Sequence, residues 1–179
     1  MGKFDQVASS EENKAFMDQA VSTVRDWIAE NQWKSDETSL SEEKTLFDMA
    51  FNLENGIYRV RINIESIPRE LKAEVVIPVI VESKYSYIVC EEIVKRNFNR
   101  RFGAFQYDMI SGDLIYRYSV MVEDQITEDM LDWAMAIIIS TATQEASDIR
   151  RYSVGRLKDK EKAEVLSKIT SLVKDLTEE

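Results

Sequence analysis

Hydrophobic residues recur along this chain with two different periods, and the switches between them predict its elements. Phe16, Ala20, Val24, Trp27 and Ile28 follow helical spacing, with Met17 and Val21 beside them. Asp18, Arg25, Asp26 and Glu30 fall elsewhere, so the segment is an amphipathic helix. Ser9 and Glu12 have the spacing of a capping box ahead of it. Residues 34–43 are polar and acidic and read as a loop, with Trp33 placed to cover an end of the core. The period then falls to two. Phe47, Met49, Phe51 and Leu53 alternate with Asp48, Ala50 and Asn52, and Glu54-Asn55-Gly56 is a hairpin turn signal. Tyr58, Val60, Ile62 and Ile64 alternate with Arg59, Arg61, Asn63 and Glu65, as expected of a strand with helices on one side and water on the other. A third run sets Leu71, Ala73, Val75, Ile77, Val79 and Val81 on one face. Pro78 lies on its other face and cannot donate to a ladder, so this strand is an edge or is bulged there.

From about Lys84 the helical period returns. Tyr87, Val89, Cys90, Ile93, Val94 and Phe98 form a wide apolar arc that includes Asn97, which needs a hydrogen-bond partner if buried. After Gly103, Phe105, Tyr107 and Met109 form one strand and Leu114, Tyr116, Tyr118, Val120 and Val122 another, turned at Ser111-Gly112-Asp113. Thr127, followed by Glu128 and Asp129, opens a helix well. Its main stripe is Met130, Leu131, Ala134, Ile137, Ile138 and Thr141, yet Trp133, Ala136 and Ile139 occupy the opposite side. A helix apolar nearly all round is covered on both sides, and a sheet covers only one. Beyond an interruption at Arg150 to Gly155, Val165, Ile169, Leu172 and Leu176 predict a last helix. The order α-βββ-α-ββ-α with an extra C-terminal helix is an α+β fold, an antiparallel β-sheet packed by helices. Residues 1–150 read as one domain and residues 151–179 as a helical extension.

Composition narrows the function. The net charge of −10 opposes the phosphate attraction behind nucleic-acid binding and docking on anionic membranes. The chain has no histidine, which removes the commonest general base and metal ligand. Its single cysteine, Cys90, reads as a small core hydrophobe. No apolar signal core opens the chain and no run is long enough to span a bilayer, so the expectation is a cytoplasmic protein. Glu91-Glu92, Glu123-Asp124 and Ser111-Gly112-Asp113 read as solvated faces and a turn. No catalytic residues, metal site or cofactor are predicted.

Several stretches resemble a known family. They are the helix bearing Asn97 and Asn99 with the following Arg100-Arg101-Phe102-Gly103-Ala104-Phe105, the hairpin through Gly112-Asp113-Leu114, and the acidic helix start between Val122 and Trp133. Together they resemble the YbjN-like family and the fold of type III secretion chaperones, over roughly Glu11 to Ser147. The tail after Arg150 and the aromatic first helix depart from that pattern. The resemblance implies a small dimeric cytoplasmic protein without catalysis. Secretion chaperones of this fold bind extended partner segments, and YbjN-like proteins are described as regulators linked to stress and motility. Neither supplies active-site residues to carry over.

The expected function is therefore a non-enzymatic protein-binding module, chaperone-like or regulatory and homodimeric, with a protein client. The candidate dimer or partner interface is Trp133, Ala136 and Ile139, with Val76 and Ile80 on a strand edge able to accept a client strand. Arg59, Arg61 and Arg117 on the outer sheet face, and Arg100 and Arg101 after the central helix, are candidate contacts for anions or an acidic partner. The alternative is a small-molecule or anion sensor, or an enzyme, using arginines and carboxylates between sheet and helices.

Overall fold

The computed structural model describes residues 10–53 and 56–149. Helix α1 (Ser10–Glu30) is followed by strands β1 (Ser35–Ser41), β2 (Lys44–Leu53), β3 (Gly56–Ser66) and β4 (Arg69–Ile80). A short 3-10 turn, Ser83–Tyr85, leads into α2 (Ser86–Phe98); β5 (Ala104–Tyr107), β6 (Asp113–Met121) and α3 (Glu128–Ile149) complete the order. The strands form one antiparallel sheet in the order β1-β2-β3-β4-β6-β5. The α+β class holds, and every expected element within the described residues is present. Ser9 and the predicted extension over residues 151–179 lie outside them.

One element has no hydrophobic signature. Residues 35–41, expected as loop, form β1 and pair with β2 from Ser35↔Met49 to Ser41↔Lys44. All seven residues are exposed, so no buried face exists to impose a period of two. Its composition suits an unpaired edge, where Asp36 and Glu37 discourage further strand addition.

All three helices cover one face of the sheet. α1 packs on β3, α3 on β4 and β6, and α2 on β5, with α1 touching α3. Beneath them Phe47, Tyr58, Val60, Ile62, Ile64, Leu71, Val75, Leu114 and Tyr116 are buried. From above, α1 supplies Phe16, Val24 and Trp27, and α3 supplies Leu131, Ala134, Ile138 and Ala142. Trp33 closes one end of this core, edge-on to Trp27 at 4.9 Å and to Phe51 at 5.1 Å. Trp27 Nε1 donates to Asp132 Oδ1 at 2.8 Å, which ties α1 to α3. The Thr127 hydroxyl accepts from the Met130 amide at 3.3 Å, the cap expected for α3.

Two sequence puzzles resolve in the interior. Pro78 is accommodated by a register shift between Ile77 and Ile80, and β4 lies between β3 and β6. The strand is bulged, not an edge. The expectation that Val76 and Ile80 mark an edge open to a client strand is therefore corrected: β4 is an inner strand, Val76 pairs with both Arg59 and Ile115, Ile80 pairs with Asp113, and the sheet ends at β1 and β5. Asn97 has the partner it needs. Its Nδ2 donates to the Phe105 carbonyl and its Oδ1 accepts from the Phe105 amide, both at 2.9 Å, pinning α2 to β5.

The link between α2 and β5 passes through Gly103, at φ 64°. A Cβ there would stand 2.6 Å from the Arg117 carbonyl oxygen and 2.6 Å from the Tyr116 hydroxyl. Gly103→Ala therefore combines left-handed backbone strain with a backbone clash, and is expected to cost about 2 kcal/mol or more. Urea unfolding measures this; a loss within about 0.5 kcal/mol of zero, the range of neutral surface changes, would show that the junction adapts.

Candidate protein-interaction site

The far face of the sheet has no covering element among the described residues, and it carries the predicted arginines. Register places Asp48, Arg61, Glu74 and Arg117 side by side across β2, β3, β4 and β6. Arg59 Nε donates to Asp48 at 2.8 Å, Arg61 lies 3.6 Å from the same carboxylate, and Arg117 Nε donates to buried Glu74 at 2.5 Å. Lys44 reaches Glu65 at 2.7 Å, and Lys72 reaches Glu65 and Glu70 at 3.2 Å. Arg59, Arg61 and Arg117 thus share one face as expected, but their charges are compensated across strands. This makes them sheet cement rather than an open anion strip. Val76 is half-buried in this face, between Arg59 and Ile115.

Exposed apolar side chains are scattered over strands and turns, as at Ile57, Ile110 and Met121, but α2 gathers several on one face. At 100° per residue, Tyr87, Val94 and Phe98 of α2 fall within about 40° of one another, opposite buried Val89 and Ile93. They are 59%, 67% and 86% exposed, and Phe102, just beyond the helix, is 47% exposed. The single wide arc seen in the sequence is therefore two faces, one seated on the sheet and one bare. Sequence reasoning missed the second as a site. Its signal was there: Tyr87, Val94 and Phe98 follow a 7-and-4 spacing that an arc centred on Val89 and Ile93 does not need.

On α3, Trp133 is 57% exposed and Ala136 is exposed, as the excess apolar side predicts; Ile139 is half-buried against the core. Ser140 and Thr143, also on α3, turn their hydroxyls onto the carbonyls of Ala136 and Ile139. This satisfies their polar groups within the helix.

Arg100 and Arg101 sit at the mouth of a groove of about 570 Å³ between α2 and α3, with Lys95, Arg96, Phe102 and Glu145 also on its walls. Arg100 is largely buried, stacked 5.0 Å from the Phe105 ring and 5.2 Å from that of Tyr116, and donates to Glu145. Arg96 reaches Glu145 at 3.5 Å and Asp148 at 3.2 Å. These contacts clasp α2 to α3. Arg101 is exposed. Arg100 is thus built into the fold, whereas Arg101 projects from it.

A six-stranded antiparallel sheet with helices on one face and an open, charged far face defines an α+β class of helix-covered sheets. Within that class the chain belongs to the YbjN family, described as "Putative bacterial sensory transduction regulator", whose pattern matches residues 20–150. No curated protein sequence matches the chain. Among solved structures, a chain of the ExsC–ExsE complex is similar at a TM-score of 0.51 and 14% identity, covering 84% of this chain and 99% of its own. A chain of the HopA1–SchA chaperone–effector complex is similar at 0.49 and 8%, covering 76% and 96%. At such identity the ExsC–ExsE likeness is one of fold. No helix among the described residues is long and apolar enough to cross a membrane.

The outer-face ladder has a pH signature. Hydrogen bonding to Lys44 and then to Lys72 holds the Glu65 carboxyl below the usual carboxylate range. Its contribution is therefore present at neutral pH and disappears as pH falls through that depressed value. Glu65→Gln is expected to lower neutral-pH stability by up to about 1 kcal/mol, with the difference from wild type closing in acid. Urea unfolding across pH reads this; a pH-independent difference would show that the carboxylate charge contributes nothing.

Proposed function

We propose that this chain is a non-catalytic protein-binding regulator of chaperone-like character, acting as a homodimer. The observation that carries the reading is the gathering of exposed Tyr87, Val94 and Phe98 on one face of α2, broken by Glu91 and followed by exposed Phe102. Large aromatic side chains left exposed together on one face are the usual anchors of protein interfaces, where they dominate the binding energy. The family's description as a sensory transduction regulator supports the regulatory half. For the second copy, the Trp133 and Ala136 side of α3 is the contact. Trp133 is a large anchor, and Ala136 with the self-satisfied Ser140 lets a second helix approach closely. The rival reading, a small-molecule or anion sensor, draws on the groove between α2 and α3 and not on Arg59 or Arg117, whose charges are paired.

A photo-crosslinking residue placed at Phe98 in cells of the source organism is expected to capture a different protein; absence of any adduct there sinks protein binding through α2. Light scattering is expected to give a dimer mass for the wild type and a monomer mass for Trp133→Asp, with the folded circular dichroism spectrum kept. A monomeric wild type removes the dimer. A crosslink from Trp133 to residues 157–176 of its own chain assigns that face to the C-terminal extension instead.

A further inference from the structure

We propose that the groove between α2 and α3 receives an acidic segment of a protein partner that also carries apolar side chains. The proposal rests on the protein-binding reading of α2 and names the chemistry of what binds there. The chain is acidic overall, with a net charge of −10, yet Lys95, Arg96, Arg100 and Arg101 converge on this groove, where Glu145 is the one carboxylate among the described residues on its walls and Arg96 also reaches Asp148 and Glu92 beside it. Glu145 is already shared by Arg96 and Arg100. The Nε atoms of both arginines are buried and find no acceptor among the described residues. Among the described residues Lys95 is held by Glu91 and Glu92 of its own helix, surface contacts that exchange readily for a better-placed carboxylate. Arg101 is exposed at the rim.

The cations do not stand alone. Phe98 lies one helical turn from Lys95, beside the groove and not on its walls, while Phe102 follows Arg101 directly and lines the groove together with Ile137. Arginine beside exposed aromatic side chains is the composition of an interface hot spot. A small oxyanion would meet the guanidinium groups and leave the apolar stripe uncovered. A nucleic-acid backbone would extend its charge beyond the cluster onto acidic surface. A peptide segment with spaced carboxylates and aliphatic or aromatic residues meets both parts. Screening over about 8 Å at physiological salt lets the local cluster, rather than the net charge, set the contact energy.

Panning a random peptide display library against the wild-type protein tests this. The selected peptides are expected to be enriched in Asp and Glu interspersed with Leu, Ile or Phe. A synthesised representative is expected to lose at least about tenfold in affinity for Lys95→Glu/Arg101→Glu, because like charges would then face each other. Phe98→Ser is expected to weaken it comparably, and Asp36→Asn on the distant edge strand to leave it unchanged. Both groove changes fall on exposed side chains, so a retained melting temperature separates lost binding from lost fold. Selected peptides without acidic enrichment, or insensitive to the charge reversal, overturn the proposal. So does a pure glutamate peptide that binds equally well and ignores Phe98→Ser, since that describes a simple anion site. Apolar peptides that depend on Phe98 but not on the two cations overturn the acidic assignment and leave protein binding through α2 standing. Failure of the protein-binding reading itself shows separately, as absence of adducts at Phe98.

Discussion

One-sided burial of the sheet is the constraint on which the rest of this structure depends. Five of the six strands, β2 to β6, present one continuous apolar face, and a face of that size is stable only when covered. Three helices side by side cover it, and each must give one stripe to the sheet. The opposite face is left to water, so its side chains must solve a different problem. They do so by pairing charge across strands, as Asp48, Arg61, Glu74 and Arg117 show. A half-buried ionic surface of this kind adds register specificity, since a one-residue slip would send Arg61 into the core and Ile62 into solvent.

The same constraint sorts what was legible in the sequence from what was not. Strands β2, β3, β4 and β6 each bury alternate side chains, so their period of two was written plainly in runs such as Tyr58, Val60, Ile62 and Ile64. Helix α1 is legible for the analogous reason. β1 buries nothing, so Ser35 to Ser41 carry no such record, and only the register with β2 reveals them as a strand. The bulge at Pro78 was foreseeable from the missing amide hydrogen. Whether the strand was central or at an edge was not, because strand order is a long-range property that local pattern does not encode.

The candidate site divides in the same way. The apolar excess at Trp133 and Ala136 was visible because a helix has only so many faces to bury, and both residues are exposed. That Arg59, Arg61 and Arg117 share a face follows from strand parity. That Asp48 and Glu74 neutralise them depends on which strands become neighbours. On α2, hydrophobicity alone read Tyr87, Val94 and Phe98 together with Val89 and Ile93. Helical spacing separates the two sets, and the helix's position over β5 shows which of them is left bare.

The pair of hydrogen bonds between Asn97 and the backbone of Phe105 has a consequence for recognition. An amide side chain that both donates to and accepts from one residue fixes the roll of its helix as well as its distance. α2 cannot turn about its own axis without breaking both bonds, so the bearing of Phe98 relative to the sheet is set before anything binds. Association then need not freeze a rolling helix, and the entropy a flexible surface would lose on docking is already lost during folding. A half-buried asparagine thus converts stability of the fold into preorganisation of the outward face.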